Sequence, residues 1–524
     1  MKSFKVRSMI VSMVSMMAIL FLLGLSAESL AATQPAKTPK YGGTLRIADV
    51  SDGASIGYPA KLLTAGGVRH ASPGVETLFR FDKDGKVIPW LALSRKDDAK
   101  GKTITIALRK GVKFHDGTDF DAEAVKWNFE QSIAAKQMGT EKFKSVEVID
   151  TGTVRINLAE WDSAIISQLC AQGLGMMVSP TGCKKNGVEW CAKNPIGTGP
   201  FQFVSWEKDT KTVWKKFPGY WQKGKPYLDE IVWTPIFDAG TRVMSIKAGE
   251  VDISATIAAK DVADLEKSGL VIARGKVGSG SVGLIGDSAN PKSPWADLRV
   301  RQAAQYAIDT AAIVKSVFRG EGEPANQFIY KGHWGYNPAV VGYPYNPEKA
   351  KQLLKQAGYP NGFKTKIIYR SNPQEDELFT AVQGFLMTVG IDAELDPAQK
   401  GRYDQIATLG GKWEGLIMNR VSPNPDVSGV MSAIYAGDGQ DYAFMLAPAD
   451  YKKAINNAIA APDFAGKAKW TKEIMKLMID KYALQITLLC RYDFVASQKH
   501  VHGHGLNGTP ANAMWTPADT WLDK

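Results

Sequence analysis

The stretch from Thr365 to Leu395 leaves few choices of fold. Thr365 to Tyr369 reads as a strand, Pro373 opens a helix that runs to Val389 and stops at Gly390, and Ile391 to Leu395 reads as a second strand. Two strands joined through a helix form a βαβ unit, and such a unit implies a parallel pair. Just upstream, Asn346 is a helix cap and Pro347 fits the first helical position, while Ala350, Leu353, Leu354 and Ala357 make a buried face that ends at Gly358. A further helix, Tyr403 to Leu409, and strand, Gly415 to Met418, follow. The second half of the chain therefore contains an α/β domain. The first half is mixed. Thr44 to Ala48 and Thr103 to Leu108 show strand alternation, and Asp121 caps a helix whose Val125, Phe129 and Ile133 form an apolar stripe that packs on those strands.

At 524 residues the chain is about three domains long, and its 44% hydrophobic content suits globular protein. The net charge of +11 is spread over a chain only 22% charged and forms no basic run, so nucleic acid is not the expected partner. Lys2, Lys5 and Arg7 precede an apolar stretch, Met9 to Leu25, and Ser29-Leu30-Ala31-Ala32 offers small residues to a signal peptidase. Residues 1–32 read as a secretory signal cut near Ala31 or Ala32, with a periplasmic destination. Residues 33–40 read as a flexible lead, and no later apolar run is long enough to span a membrane. Export places the four cysteines where disulfides persist, and Cys183 and Cys191 flank a polar segment, Lys184 to Trp190, read as a surface loop that a local disulfide closes. Cys170 and Cys490 lie in apolar contexts that suit buried thiols.

Catalytic patterns are absent: there is no GxSxG elbow, no HExxH and no complete Walker motif. Gly278-Ser279-Gly280-Ser281-Val282-Gly283 matches GxGxxG, but no helix opens on its last glycine, and it reads as a crossover between domains. His500, His502 and His504 alternate and would share one face of a strand, yet no acid stands close in sequence to complete a metal site. No enzyme activity, metal or cofactor is expected.

Five stretches in order resemble the family 5 solute-binding proteins of bacterial ABC importers, the peptide, nickel and oligosaccharide binders. They are Tyr41-Gly42-Gly43-Thr44-Leu45, Leu108 to Gly117 (LRKGVKFHDG), Gly197-Thr198-Gly199-Pro200-Phe201, Asp297 to Ala303 (DLRVRQA) and Asn346 to Leu354 (NPEKAKQLL). The resemblance implies an α/β, two-lobed periplasmic-binding-protein fold of type II, in its large three-domain form with an inserted domain in lobe I. Lobe I is expected at 33–75, 191–276 and 488–524, the inserted domain at 76–190, and lobe II at 277–487. Crossings near 278–283 and Cys490 would form the hinge.

The function implied is reversible capture of a peptide-like or other small polar solute and delivery to an inner-membrane permease, by a monomer. In peptide-binding relatives the loop after the strand at Gly415–Met418 carries a Trp and an Asp that receives the peptide's α-amino group. This chain departs from that pattern, with Arg420 near the Trp position and Pro423 near the acid. A guanidinium there favours a carboxylate or phosphate, unless Asp426 substitutes for the lost acid. Tyr58, Asn419, Arg420, Asp426, Asn512 and Trp515 are the candidate ligand contacts. A sensory binding protein serving a membrane receptor, a nickel or metal-chelate carrier and a periplasmic hydrolase stay open as alternatives.

Overall fold

The computed structural model describes residues 38–50, 53–61, 65–82, 85–137, 139–170, 173–276, 280–408, 410–419, 424–436, 441–506 and 515–523. Among them, a mixed sheet of 12 strands runs through the unit Tyr41–Lys524. In chain order its strands are β1 (Thr44–Asp49), β2 (Phe201–Glu207), β3 (Lys211–Lys216), β4 (Glu230–Pro235), β5 (Ile253–Ile257) and β6 (Val271–Lys276). Then come β7 (Val282–Gly286), β8 (Gly322–Pro324), β9 (Phe363–Arg370), β10 (Ile391–Ala398), β11 (Leu416–Met418) and β12 (Gln485–Ser497). The spatial order is β2-β3-β4-β1-β5-β12-β7-β11-β9-β10, with β6 and β8 also paired to β12.

The long strand β12 belongs to both halves of this sheet. Its first part pairs with β7 over Gln485–Leu489 and with β8 over Leu489–Arg491; its second part pairs with β6 over Tyr492–Ser497 and with β5. β1 runs parallel to β4 and β5, and β9 runs parallel to β10 and β11. Because β12 is antiparallel to β5 and β7, and β7 to β11, the carboxyl ends of the two parallel groups point at each other across the middle of β12. Each half has its own core, one around Val300, Leu378 and Tyr451, the other around Ile47, Trp233 and Ile253. A separate antiparallel sheet, Ala92–Asp98, Thr103–Leu108, Thr153–Leu158 and Phe143–Asp150 in spatial order, carries the helix Ala122–Ala134 over a third core.

The local signals act as their chemistry requires. Asp121 accepts the Ala124 N–H at 2.9 Å, and Asn346 accepts the Lys349 N–H at 2.9 Å, so each caps its helix. The βαβ unit is β9, the helix Pro373–Met387 and β10, in parallel register from Phe363↔Ile391 to Arg370↔Ala398. The helix expected at Tyr403–Leu409 is Lys400–Ala407. The segment Lys184–Trp190 is not the loop expected: Pro180–Asn186 and Val188–Cys191 are short helices, the first capped by Ser179 and the two separated by Gly187 at φ 86°. Cys183 and Cys191 are bonded with their Cα atoms 5.5 Å apart, and Cys170 and Cys490 are free and buried. Burial raises the pKa of both thiols, that of Cys490 to about 12.

Two of the matching motifs, Leu108 to Gly117 and Gly197 to Phe201, meet at the junction between the separate antiparallel sheet and the first half. His115 N–H donates to Gly197 O at 2.9 Å, and the His115 Nε2–H to Gly199 O at 3.0 Å. A Cβ on Gly197 would lie 2.0 Å from Gly74 O, which explains the glycine there. Beneath this contact lies the carboxylate of Glu76. Trp90 Nε1–H and Tyr220 O–H donate to its Oε1 at 2.8 and 2.9 Å, and Thr198 O–H and Trp221 Nε1–H to its Oε2 at 2.9 and 3.0 Å.

Two buried histidines make stability depend on pH. Burial pushes His115 and His333 down to about 4. His333 is fixed as one neutral tautomer, its Nε2–H donating to Pro425 O at 2.9 Å and its Nδ1 accepting from Gly335 N–H at 3.1 Å. Between about pH 6.5 and pH 4 the unfolded chain takes up protons that the folded chain refuses, so stability falls as pH falls through that window. Chemical denaturation at pH 7 and pH 4.5 should show each histidine contributing roughly 2 to 3 kcal/mol of the loss, with the His333 share absent from His333→Asn.

Candidate functional site

In an α/β sheet the carboxyl ends of parallel strands leave loops and helix starts free to bind, so the middle of β12, where two such sets converge, is the place to look. A strand turns alternate residues to opposite faces. On one face of β12, Cys490, Tyr492 and Phe494 look toward Glu323, Lys276 and an apolar cluster; the Tyr492 hydroxyl donates to Glu323 Oε1 at 2.6 Å. Arg491 and Asp493 occupy the other face.

That second face carries a row of charges drawn from both halves. Asp49, at the end of β1 and buried, accepts Arg69 Nη1 at 2.9 Å on each of its oxygens; Arg69 lies on the helix Ala65–Ala71. Arg491 Nη1 donates to Glu375 Oε1 at 2.5 Å, and Glu375 sits buried in the first turn of the helix that follows β9. Asp493 stands between the two pairs, within electrostatic reach of both Arg69 and Arg491, and it is exposed. Crowding by the surrounding protein raises its pKa, against the pull of the two guanidinium groups.

Asn419 holds the border of this floor. Its backbone N–H donates to Gly283 O at 2.9 Å, its side-chain oxygen accepts from Gly283 N–H at 2.7 Å, and its amide donates to Ser281 O at 2.8 Å. Asn419 thus ties the end of β11 to the chain entering β7. Tyr58 and Trp515 are packed rather than presented. The Tyr58 ring is 5% exposed and its hydroxyl donates to Gln131 Oε1 at 3.0 Å; Trp515 is 5% exposed, stacks edge-on to Trp233 and donates to His504 O. Arg420, Asn512 and Gly278 lie outside the described residues. His500, His502 and His504 do not converge: His500 bonds Asp252, His502 stacks on Trp521 and His504 accepts from Leu506 N–H. Only Val501–His502 is strand, so the shared face expected for the three is not formed.

Asp426 already receives an ammonium group, that of Lys467. Its Oδ2 accepts Lys467 Nζ at 2.6 Å, while Oδ1 accepts the Ser428 hydroxyl at 2.6 Å and caps the helix Val427–Ile434. Burial acts to raise the Asp426 pKa, but Lys467 and these hydrogen bonds outweigh it and hold the carboxylate below its usual range. Lys467 also donates to Ser163 O at 3.0 Å, in the segment that follows the strand Thr153–Leu158. In the same interface Trp161 Nε1–H donates to Ala461 O at 3.0 Å and Ser163 N–H to Ile459 O at 2.8 Å, which satisfies carbonyls left open at the end of the helix Ala449–Ile459. A cavity of about 410 Å³ opens beside the pair, walled by Phe81, Trp161, Ile166, Trp334 and Phe464.

The row Asp49, Arg69, Asp493, Arg491 and Glu375 was not anticipated from sequence. One signal was present: Arg491 and Asp493 are two charges at spacing two within the otherwise apolar run from Leu488 to Ala496. The partner of Arg491, Glu375, lies 116 residues away and has no local mark.

The model for bacterial extracellular solute-binding proteins, family 5 (middle), matches residues 86–442. The chain belongs to family 5 of the bacterial extracellular solute-binding proteins. Among its relatives is the glutathione-binding protein GsiB of Escherichia coli O1:K1, 36% identical over 349 residues that make up 65% of this chain and 67% of the relative. Its fold is similar to that of the ABC transporter-associated periplasmic binding protein DppA from Helicobacter pylori in complex with the peptide STSA, with TM-score 0.74 and 26% identity over 93% of this chain and 99% of that one. It is also similar to HbpA2 from Haemophilus parasuis, with TM-score 0.81 and 24% identity over 92% and 100%. The large multi-domain α/β fold is thus that of the periplasmic binding proteins, and the solute-binding family binds cargo for ABC importers rather than transforming it. No helix among the described residues is long and apolar enough to cross a membrane.

Proposed function

We propose that this binding protein captures a peptide-like solute between its two halves and delivers it, as a periplasmic monomer cleaved near Ala31 or Ala32, to an inner-membrane ABC permease. The observation that supports the reading best is the placement of a polar floor at the middle of β12. The end of β6 and the start of β7 lie opposite Tyr492 and Leu489, beside the point near Arg491–Tyr492 where β12 passes between the halves, so a small change of backbone angle within β12 there moves one wall of the site against the other. A solute touching Asp493 and Arg491 below and both sets of strand ends at the sides favours the closed arrangement, because those contacts coexist only when the halves meet. Lobe I at 33–75, 191–276 and 488–524, the inserted domain at 76–190 and lobe II at 277–487 are the bodies we assign to this motion. The names of the relatives supply the first probes, glutathione and short peptides.

A thermal-shift titration of the purified protein with glutathione and a panel of di- and tripeptides tests the proposal. A true cargo raises the melting temperature progressively, corresponding to about 2.7 kcal/mol at a concentration one hundred times Kd. Recovery of the cargo chemically unchanged, by mass spectrometry, is the second expected result. Absence of any shift across the panel at millimolar concentration, or release of an altered compound, overturns it.

A further inference from the structure

We infer that Asp493 receives a primary ammonium group of the solute, which makes the cargo a compound with a free, cationic amino nitrogen. The inference rests on the solute-binding reading above and adds to it the charge and chemistry of one end of the cargo.

Three observations carry it. First, the carboxylate is available. Asp493 is exposed and has no hydrogen bond or ion pair among the described residues, whereas every other charged group of the row has a partner: Arg69 holds Asp49, and Arg491 holds Glu375. Second, Asp493 is the one carboxylate of the row without a bonded cation: Asp49 is held by Arg69 and reached by Arg242 as well, and Glu375 is held by Arg491. Two shielded polar atoms in the same row, Glu375 Oε2 and Arg69 Nε, also lack partners among the described residues. Third, the ladder of β12 to β6, in which Asp493 pairs with Gly275, keeps its Cα at the meeting of the two halves. A carboxylate that the surrounding protein crowds and leaves without a bonded partner is less favourably ionised than one in open water. Its partner is therefore to be sought in the bound state, where an ammonium group would make a charge-assisted hydrogen bond. The other acid near strand ends, Asp426, is taken by Lys467 and caps a helix, so it offers a solute nothing comparable.

The test compares wild type, Asp493→Asn and Asp493→Glu by calorimetric titration with glutathione and the di- and tripeptide panel, each compound as the free amine and as its N-acetyl form. Wild type should bind free amines about tenfold or more tighter than their acetylated forms. Asp493→Asn should lose that discrimination while melting no lower than wild type, and Asp493→Glu should retain part of it. Equal binding of free and acetylated forms by wild type, or full discrimination by Asp493→Asn, overturns the assignment of Asp493 and leaves the solute-binding reading standing. Failure of every compound to bind wild type overturns the peptide reading, and with it this inference.

Discussion

Glu76→Ala should lower the free energy of unfolding by about 4 kcal/mol or more, among the largest effects of any single substitution in this protein. The reason is the number of groups that one carboxylate serves. A carboxylate only accepts, and Trp90, Tyr220, Thr198 and Trp221 each present a donor to it within 3.0 Å in a site closed to water. Removing the acceptor strands donors from three separate stretches of chain, each with a desolvation cost of about 1–3 kcal/mol before any relaxation. Arg80, half-buried over the Trp90 ring, also loses the negative charge that compensates it. Glu76→Gln should be damaging as well, because its NH2 group must face donors that need an acceptor. Chemical denaturation of both variants checks the expectation, and a loss below about 1 kcal/mol in either would show that the network relaxes onto water.

Lys467→Met is expected to cost about 3–5 kcal/mol, and to weaken capture of cargo as well. The stability term arises because Asp426, buried and bonded to Lys467 at 2.6 Å, is left as an uncompensated charge. Asp426→Asn combined with Lys467→Met should recover a substantial part of that loss, the signature of a coupled buried pair. The functional term arises because Lys467 also reaches Ser163, so the same ammonium joins the segment after the strand Thr153–Leu158 to the second half. Its loss should shift the unliganded protein toward a more open arrangement, seen as a larger radius of gyration in solution scattering, and should lower apparent affinity for any cargo that binds the closed form. An unchanged radius in a variant that remains folded would confine Lys467 to a purely stabilising role.

What was legible in the sequence was what is local. The caps at Asp121 and Asn346, the stop at Gly390 and the β9–helix–β10 unit act through residues a few positions apart, and the structure places them within one or two residues of where the pattern puts them, except that β10 runs three residues further, to Ala398. The stretch Lys184–Trp190 misleads for a local reason too: its polar composition suggests a loop, but the Ser179 cap and Pro180 are enough to start a helical turn. The floor of the site is a different matter. Asp49 and Arg69 share it with Glu375 and with Arg491 and Asp493, and nothing in a linear pattern announces that charges so far apart will face each other. The alternation of charge along β12 was the one mark available, and it gains meaning only once both halves of the sheet are seen to share that strand. Of the residues proposed from resemblance, Asn419 ties the end of β11 to the start of β7, while the burial of Tyr58 and Trp515 in packed cores follows from aromatic bulk that sequence alone cannot distinguish from a binding wall.

The chemistry of the cysteines opens a practical route to all of these measurements. With one pair oxidised and the thiols of Cys170 and Cys490 both shielded and held protonated at neutral pH, alkylating reagents find little thiolate to attack in the folded molecule. A single cysteine added at the rim would then be the preferred anchor for an environment-sensitive dye. Opening and closing could be followed optically in real time without rebuilding the native sulfur content of the chain.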